Sequence, residues 1–226
     1  MVLSIIVPML DEAEVIARTL GALRRGAPDA EIIVVDGGSE DSSVAIAEPL
    51  CDVLVAESRG RARQMNAGAK LAHTNTFAFV HADTLVPVSF GADIADALLD
   101  PAIVGGRFDV ELDSSALPYR IIGAMISLRS RLSRVGTGDQ AIFVRREVFE
   151  HLGGFPELDL CEDLEFSRRL KRAGRVACLR SRVITSARRW SRDGLARTVL
   201  RMWMIRAMYL AGVSPARLKR MYADTR

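Results

Sequence analysis

The chain has 226 residues, a length that fits one large α/β domain with or without a helical tail. Hydrophobic residues make up 49% and charged residues 26%, which excludes a disordered or collagen-like chain. The net charge of +3 and the aromatic fraction of 6% argue against a general nucleic-acid-binding protein.

The cysteines and the first residues of the chain bear on the cellular compartment of the protein. Cys51, Cys161 and Cys178 are odd in number and form no Cys-x-x-Cys pair, so they predict neither a disulfide framework nor a zinc knuckle. The first residues are apolar without a basic stretch, which argues against a signal peptide, and no apolar run is long enough for a membrane span. We therefore expect a cytoplasmic protein.

Short β-branched runs alternate with helical patterns over the first half of the chain. Apolar residues at helical spacing follow the first strand, and Asp11 is the expected N-cap of the first helix. The predicted elements are strand 2–7, helix 12–25, strand 32–35, helix 42–50, strand 52–56, helix 61–72 and strand 76–80. This alternation predicts an α/β fold with a mainly parallel sheet and helices on both faces.

The second half of the chain changes character. The predicted elements are strand 104–112 near the edge of the sheet, helix 119–132, strand 140–144, helix 163–172, strand 176–179, helix 195–210 and a short helix 215–222. The helix 195–210 is basic and partly apolar. Two interpretations stay open for it: packing on its own domain or on a second subunit of a homodimer, and contact with an anionic membrane surface.

Polar residues follow the second predicted strand, and ligands of open α/β sheets bind at the carboxyl ends of the strands. Asp36 can accept hydrogen bonds from a ribose or a base, and Gly37 and Gly38 let the backbone approach a ligand. The alternative is a tight turn with Asp41 as an N-cap. The Gly-x-Gly-x-x-Gly pattern is missing after the first strand, which counts against an NAD enzyme.

Three arginines crowd the start of the predicted helix 61–72, namely Arg59, Arg61 and Arg63. Cations at this end oppose the helix dipole, so they are poor choices for stability alone. An anionic ligand such as a nucleotide or a phosphate would resolve the conflict. A solvated basic face is the alternative.

His81 and Asp83 come directly after the strand 76–80, where alternate residues can point to the same side. An imidazole with a carboxylate suits Mn²⁺, whereas an oxygen-only site suits Mg²⁺. The alternative is a buried histidine whose hydrogen bonds are satisfied, with Asp83 capping a turn. The spacing alone is equally compatible with a metal site and with the structural alternative.

Two further clusters lie in the second half. Glu162 and Asp163 begin a predicted helix, where they are good capping residues or could include a general base that deprotonates a hydroxyl. Arg188 and Arg189 precede Trp190, so basic groups beside an indole could hold a diphosphate and stack on an acceptor. A surface turn is the alternative for this second cluster.

The order of these motifs carries a family resemblance. The segments SIIVPMLDEA, EIIVVDGGSEDS, RGRARQMNAGA, FVHADT, GDQAIFVRREVFEHLGGFPE, EDLEFSRRLKRAG and SARRW follow one another between Ser4 and Trp190. With them the chain resembles the family 2 glycosyltransferases of the GT-A fold. The HADT and GDQAIFVRR runs look like a short cytosolic subgroup often labelled as arsenosugar-biosynthesis transferases.

The resemblance implies an activity and a domain organisation. A hexosyltransferase of this kind would move a sugar from a UDP- or GDP-sugar to an acceptor hydroxyl with inversion. The GT-A domain would span residues 1–190, with a nucleotide-sugar half over about 1–100, an acceptor half over about 101–190 and a helical tail over 191–226 packed on it. The alternatives are a non-catalytic nucleotide-sugar-binding protein and a nucleotidyltransferase, which would release pyrophosphate.

The resemblance also implies roles for single residues. The donor-nucleotide site would consist of Pro8, Leu10, Glu12, Asp36, Gly38, Arg61, Arg63, Asn66, His81 and Ala82. Asp83, with His81, would hold Mn²⁺ or Mg²⁺, and Asp163 beside Glu162 would be the general base. The acceptor or the diphosphate would contact Asp139, Arg188, Arg189 and Trp190.

Two departures from the family pattern bear on these roles. His81 stands where the first aspartate of the family's Asp-x-Asp metal motif is expected, which leaves the identity of the metal open. The glutamine of the Gln-x-x-Arg-Trp element is missing, because Thr185 and Ser186 precede the arginines. This second departure argues against the extrusion of a polymer.

Overall fold

The computed structural model describes residues 3–158, 160–188, 190, 194–215 and 217–218. The strands within these ranges are β1 (Leu3–Met9), β2 (Glu31–Asp36), β3 (Val53–Ala56), β4 (Thr76–Phe79), β5 (Thr84–Leu85), β6 (Ile103–Leu112), β7 (Ile142–Arg145) and β8 (Arg175–Thr185). The helices are α1 (Ile16–Gly26), α2 (Ser43–Ala47), α3 (Arg61–Leu71), α4 (Phe90–Ala97), α5 (Leu117–Ser133), α6 (Arg146–His151), α7 (Glu162–Ala173) and α8 (Leu195–Leu210).

The strands form one mixed sheet in the order β3-β2-β1-β4-β7-β6-β8-β5. The four strands of the first half are parallel, as the alternation predicts, whereas β7 runs antiparallel to both β4 and β6. β8 pairs in parallel with β6 and carries the short antiparallel β5 at the edge. The strand predicted over 104–112 is β6, which lies third from one edge of the sheet, between β7 and β8.

Each face of the sheet buries its own core, because alternate residues of a strand point to opposite sides. On β1, Ile5 and Val7 pack in one cluster with α1, and Ile6 packs in the other with α3. The second cluster also includes phenylalanines of α6 and α7. The prediction of helices on both faces is therefore confirmed.

The start of the first helix differs from the prediction. α1 begins at Ile16 after a turn and has Val15 as its N-cap, so the prediction of Asp11 as the cap is wrong. The backbone of Asp11 has a positive φ of 51°, and its carboxylate accepts the N–H of Glu40 at 2.9 Å. The Asp11 side chain therefore joins the loop after β1 to the loop after β2 instead of capping a helix.

Some elements are not revealed by the periodicity of the sequence. The sequence does not predict β5, α4 and α6, and β8 is an eleven-residue strand that extends well beyond the predicted strand 176–179. The helix 195–210 is confirmed as α8. The predicted helix 215–222 lies outside the described residues from Lys219 onward.

The C-terminal helix packs on the sheet domain at both ends. Leu112, Ala187 and Trp190 form a buried apolar cluster against which residues of α5 and α8 pack. Farther along, the hydroxyl of Tyr209 donates to a carboxylate oxygen of Glu165 on α7 at 2.9 Å. None of the helices in the described ranges combines the length and the apolar character needed to cross a bilayer. The division of the chain at residue 190 stays a prediction.

Gly106 should be needed for the close approach of β8 to β6. A Cβ there would lie 2.6 Å from the carbonyl oxygen of Ala177, so Gly106→Ala should lower the free energy of unfolding by about 1–3 kcal/mol. The control is Gly21→Ala in α1, where the added carbon would meet only Arg25 Nη1 at 3.4 Å and should stabilise by roughly 0.5–1 kcal/mol. Urea unfolding measures both, and an unchanged Gly106→Ala stability would contradict the packing.

Candidate functional site

The loops after β1 and β2 lie side by side because the two strands pair in parallel up to Met9 and Asp36. The buried Asp36 carboxylate accepts the N–H groups of Gly38 and Ser39 as well as the Ser39 hydroxyl. Gly38 has a positive φ of 90° and open space where a Cβ would lie. Asp36 therefore holds a tight turn whose tip leaves open space. The N-cap of α2 is Ser42, so the prediction of Asp41 as the N-cap is wrong, although the Asp41 carboxylate accepts the N–H of Ser43.

Glu12 contacts Ser43 and Arg188, the second of which is also a predicted site residue. Its backbone N–H donates to the Ser43 hydroxyl at 2.7 Å, while its carboxylate accepts Arg188 Nη2 at 2.5 Å. The hydrogen bond that Arg188 donates to Glu12 raises the pKa of Arg188 against the opposing effect of burial. The chain that follows β8 is thus brought over the loop that follows β1. Pro8 lies just before this loop, at the second-last position of β1, and Leu10 begins the loop.

The turn after β4 places an imidazole beside carboxylates. His81 Nδ1 lies 3.6 Å from Asp139 Oδ1, and the buried Ala82 accepts the Thr19 hydroxyl through its carbonyl at 2.7 Å. Burial is the main reason why the pKa of Asp83 is raised, and the negative charges of Glu12 and Asp139 add to it. His81 and Arg188 oppose this rise.

Gly138 connects this turn to the start of α7. Its N–H donates to Asp163 Oδ2 at 2.7 Å, and the other carboxylate oxygen accepts the N–H of Leu164 at 2.6 Å. A Cβ on Gly138 would collide with the His81 ring, so only glycine fits between the imidazole and the carboxylate. Burial raises the pKa of Asp163, although the Gly138 hydrogen bond works in the opposite direction.

Arg61 brings positive charge to the carboxylate cleft, which we define by the side chains of Asp83, Asp139, Glu162 and Asp163. Burial opposes its charge, but Glu162, Asp139, Asp163 and Asp83 together hold its pKa above the usual value. More than a third of the residue's surface is accessible to solvent. The structure therefore brings the arginine at the start of α3 together with carboxylates from three other segments.

Glu162 is the acidic residue whose surroundings the sequence did not reveal. It is only 7% exposed, and burial together with the charge of Asp163 raises its pKa to about 7, with Arg61 opposing. Next to it, burial and the same two acidic residues raise the pKa of Cys161 to about 12. Cys161 therefore stays a neutral thiol near neutral pH and is a poor nucleophile.

Several predicted site residues are engaged elsewhere. Asn66 donates to the Phe155 carbonyl and accepts its N–H, which fastens α3 to the loop after α6. Arg63 pairs with Glu157 at 3.2 Å on the surface. Trp190 is only 7% exposed within the cluster around Leu112, which leaves its indole little surface for stacking on an acceptor. Arg189 lies outside the described residues.

The cleft offers an imidazole and a carboxylate as donor groups for a divalent cation. Within the part of the chain that the structure describes, no three His, Cys, Asp or Glu side chains form a metal-binding group. His81 and Asp83 still offer an imidazole and a carboxylate, which suit Mn²⁺. The pKa of Asp83 is raised by burial and by the charges of Glu12 and Asp139, and a cation would relieve this excess of negative charge. The pair fits a cation that takes its remaining ligands from a substrate.

The sheet order and the position of the cleft define a GT-A glycosyltransferase fold. The family model for glycosyl transferase family 2 matches residues 4–153, which is more than half of the chain. The chain therefore belongs to glycosyl transferase family 2. The matched range includes the turn with His81 and Asp83, whereas Glu162 and Asp163 lie beyond it. No curated protein matches the chain.

Solved structures share the fold at low identity. The structure of S. aureus TarS 1-349 in complex with UDP is 19% identical, with a TM-score of 0.63 over 82% of this chain and 60% of that chain. The mannosyltransferase PcManGT from Pyrobaculum calidifontis, in complex with GDP-Man and Mn²⁺, is 21% identical, with a TM-score of 0.67 over 99% of this chain and 68% of that chain. Our chain thus spans about 60% of the length of the TarS 1-349 chain.

The raised pKa of Glu162 should make stability fall as the pH rises. The folded state keeps this proton up to about pH 7, while the unfolded chain releases it near the ordinary glutamate pKa of 4.5, so unfolding releases a proton between these values. We expect a loss of up to roughly 3 kcal/mol between about pH 5 and about pH 8, and a smaller loss in Glu162→Gln.

Urea unfolding at several pH values measures this effect. The control is Glu165→Gln on the same helix, because the pKa of Glu165 is lowered and its carboxylate stays ionised throughout this range in both states. Equal pH dependence in Glu162→Gln and the wild type would show that Glu162 is not the titrating group.

Proposed function

We propose that this chain transfers a sugar from a nucleotide-diphosphate sugar to an acceptor hydroxyl with inversion at the anomeric carbon. The observation that carries the proposal is the convergence of Arg61 with Asp83, Asp139, Glu162 and Asp163 in one cleft. Family membership supports it, as do the complexes of TarS with UDP-GlcNAc and of PcManGT with GDP-Man and Mn²⁺.

The donor would bind across the loops after β1 and β2 and the start of α3. Gly38 leaves open space at the tip of the Asp36 turn, where a base or a ribose could lie. α3 follows Gly60, which has a φ of 146°, and no side-chain cap is found there among the described residues. Its first N–H groups are therefore available to a diphosphate, and Arg61 adds a guanidinium beside them.

Asp83 and His81 would hold the divalent cation, Mn²⁺ or Mg²⁺. When bound, this cation would neutralise charge on the nucleoside diphosphate as it leaves. Arg61 adds positive charge in the same cleft, and a preorganised cation stabilises a developing anion more strongly in such a site than in water. The binding of a diphosphate with its cation would thus balance the charges that the carboxylates leave unmatched.

Asp163 would take the proton of the acceptor hydroxyl. Hydrogen bonds from Gly138 and Leu164 orient its carboxylate, and its raised pKa increases its basicity when ionised. As the proton moves to Asp163, the acceptor oxygen forms a bond to the anomeric carbon and the bond to the diphosphate breaks on the opposite face. This single displacement needs no covalent nucleophile, which agrees with the high pKa of Cys161.

Two alternatives are distinguished by the product. A non-catalytic nucleotide-sugar-binding protein would bind the donor and release nothing, and a nucleotidyltransferase would release pyrophosphate from a nucleoside triphosphate. The release of a nucleoside diphosphate with an acceptor present supports the glycosyltransferase. The hexosyl subtype, the arsenosugar subgroup, the cytoplasmic location, the membrane contact of the C-terminal helix and a homodimer stay predictions.

A panel of UDP-, GDP- and dTDP-sugars should identify the donor through thermal shifts. Binding to the folded state raises the melting temperature as the ligand concentration exceeds the dissociation constant. We expect one nucleotide to give a shift that increases with Mn²⁺ or Mg²⁺, and we expect Asp83→Asn to lose the metal-dependent part. The absence of a shift with every donor, on folded protein, would contradict the proposal.

Asp163→Asn should keep donor binding and lose turnover. Removal of a general base typically costs about 10²–10⁴-fold in rate. Asp139→Asn tests the rival carboxylate beside His81, and Glu165→Gln is the matched control outside the cleft on the same helix. Nucleoside diphosphate release, measured after the acceptor is found, compares the three variants. Full turnover in Asp163→Asn would assign the base elsewhere.

A further inference from the structure

An apolar groove of about 610 Å³ lies between α5 and α8 and shares no residue with the carboxylate cleft. Apolar side chains line it, among them Leu117, Ile121, Met125, Val199, Leu200 and Trp203. We call this surface the α5–α8 face. The proposed transfer reaction uses none of these residues, so the groove needs an explanation of its own.

The groove residues are open to solvent to an unusual degree. Leu117 is 65% exposed, Leu200 is 71% exposed and Trp203 is 66% exposed. Leu128 and Leu132 extend the apolar surface along α5, with exposed fractions of 57% and 78%. Single exposed apolar residues are normal, but a contiguous patch of this kind marks a binding surface.

The charge of the two helices has a single sign. Neither α5 nor α8 contains an aspartate or a glutamate, while together they carry six arginines. Arg131 pairs with Asp109 of β6 and Arg201 is buried, so these two do not add exposed charge. Arg120 and Arg197 are exposed and take part in none of the ion pairs formed among the described residues. They lie next to Ile121 and one turn before Leu200, so exposed positive charge borders the groove.

We propose that the α5–α8 face docks on the surface of an anionic lipid bilayer. Exposed leucines and an interfacial tryptophan can enter the boundary between headgroups and acyl chains, while arginines contact lipid phosphates. A second copy of the chain fits this face less well. A two-fold interface would bring the arginines of both copies together, at a cost that charge complementarity normally avoids.

The face is connected to the carboxylate cleft at two places. α5 leads within a few residues to Gly138, which contacts Asp163, and α8 contacts α7 through the Tyr209–Glu165 hydrogen bond. Docking would therefore hold the cleft beside the bilayer. The docking itself does not depend on the proposed transfer reaction, so either proposal can fail alone.

Sedimentation of the full chain with vesicles tests the docking. The probes are phosphatidylcholine vesicles with and without phosphatidylglycerol, at low and high salt. We expect binding to the anionic vesicles, weaker binding at high salt and little binding to the neutral vesicles, because salt screens the attraction of arginines to lipid phosphates. The absence of binding to anionic vesicles would overturn the proposal.

Two double variants examine the two kinds of contact. Leu200→Gln with Trp203→Gln removes exposed apolar groups, and Arg120→Gln with Arg197→Gln removes charge. Each should weaken partitioning to anionic vesicles by about tenfold or more. Since all four side chains are exposed, the melting temperature and the thermal shift with a donor should not change.

Matched controls are exposed apolar residues and exposed arginines elsewhere on the chain. Val88→Gln with Leu99→Gln, which are 82% and 79% exposed, and Arg25→Gln with Arg172→Gln should keep vesicle binding. Equal losses in the control and groove variants would contradict docking through this face. Sedimentation velocity without lipid supplies the other outcome: self-association that the groove variants abolish, without vesicle binding, would assign the face to a second copy.

Discussion

The contact of Gly138 with His81 and Asp163 is the constraint on which the cleft depends. Three segments that are far apart in sequence meet there: the turn after β4, the loop before β7 and the start of α7. The backbone N–H orients the carboxylate, and the absence of a side chain allows the imidazole to approach. Because β4 and β7 pair in the sheet, the turn after β4 lies next to the loop before β7, which brings His81 and Gly138 together.

The electrostatics of the cleft follow from the same convergence. Asp83, Glu162 and Asp163 all have raised pKa values, chiefly because burial disfavours their charge. The charge of Arg61 acts on all three, and that of Arg188 acts on Asp83. Sites with perturbed carboxylates tend to be functional, since such an arrangement is costly to maintain for stability alone. A ligand that combines an anion with a divalent cation suits both signs of charge in this cleft.

α5 and α8 contribute to stability and to the surface at once. Their inner sides pack around Trp190 and Leu112, whereas their outer sides form the apolar, basic α5–α8 face. The burial of Trp190 shows that the residues of a motif do not by themselves reveal which of their side chains are accessible to a ligand. An indole next to arginines suggests a ligand platform, but the apolar residues of α8 cover it from a part of the chain that the motif does not include.

Local patterns determined most of the first half of this protein. Alternation of strands and helices predicted the parallel order, because this signal depends on neighbours in sequence. Local spacing drew attention to His81, Asp83 and Asp163, but only the family resemblance assigned the role of the base to Asp163. Only the tertiary structure decided that β6 is interior, that Asn66 fastens a loop and that Glu162 is buried beside Arg61. Strand order, burial and charge balance depend on segments that meet only after folding.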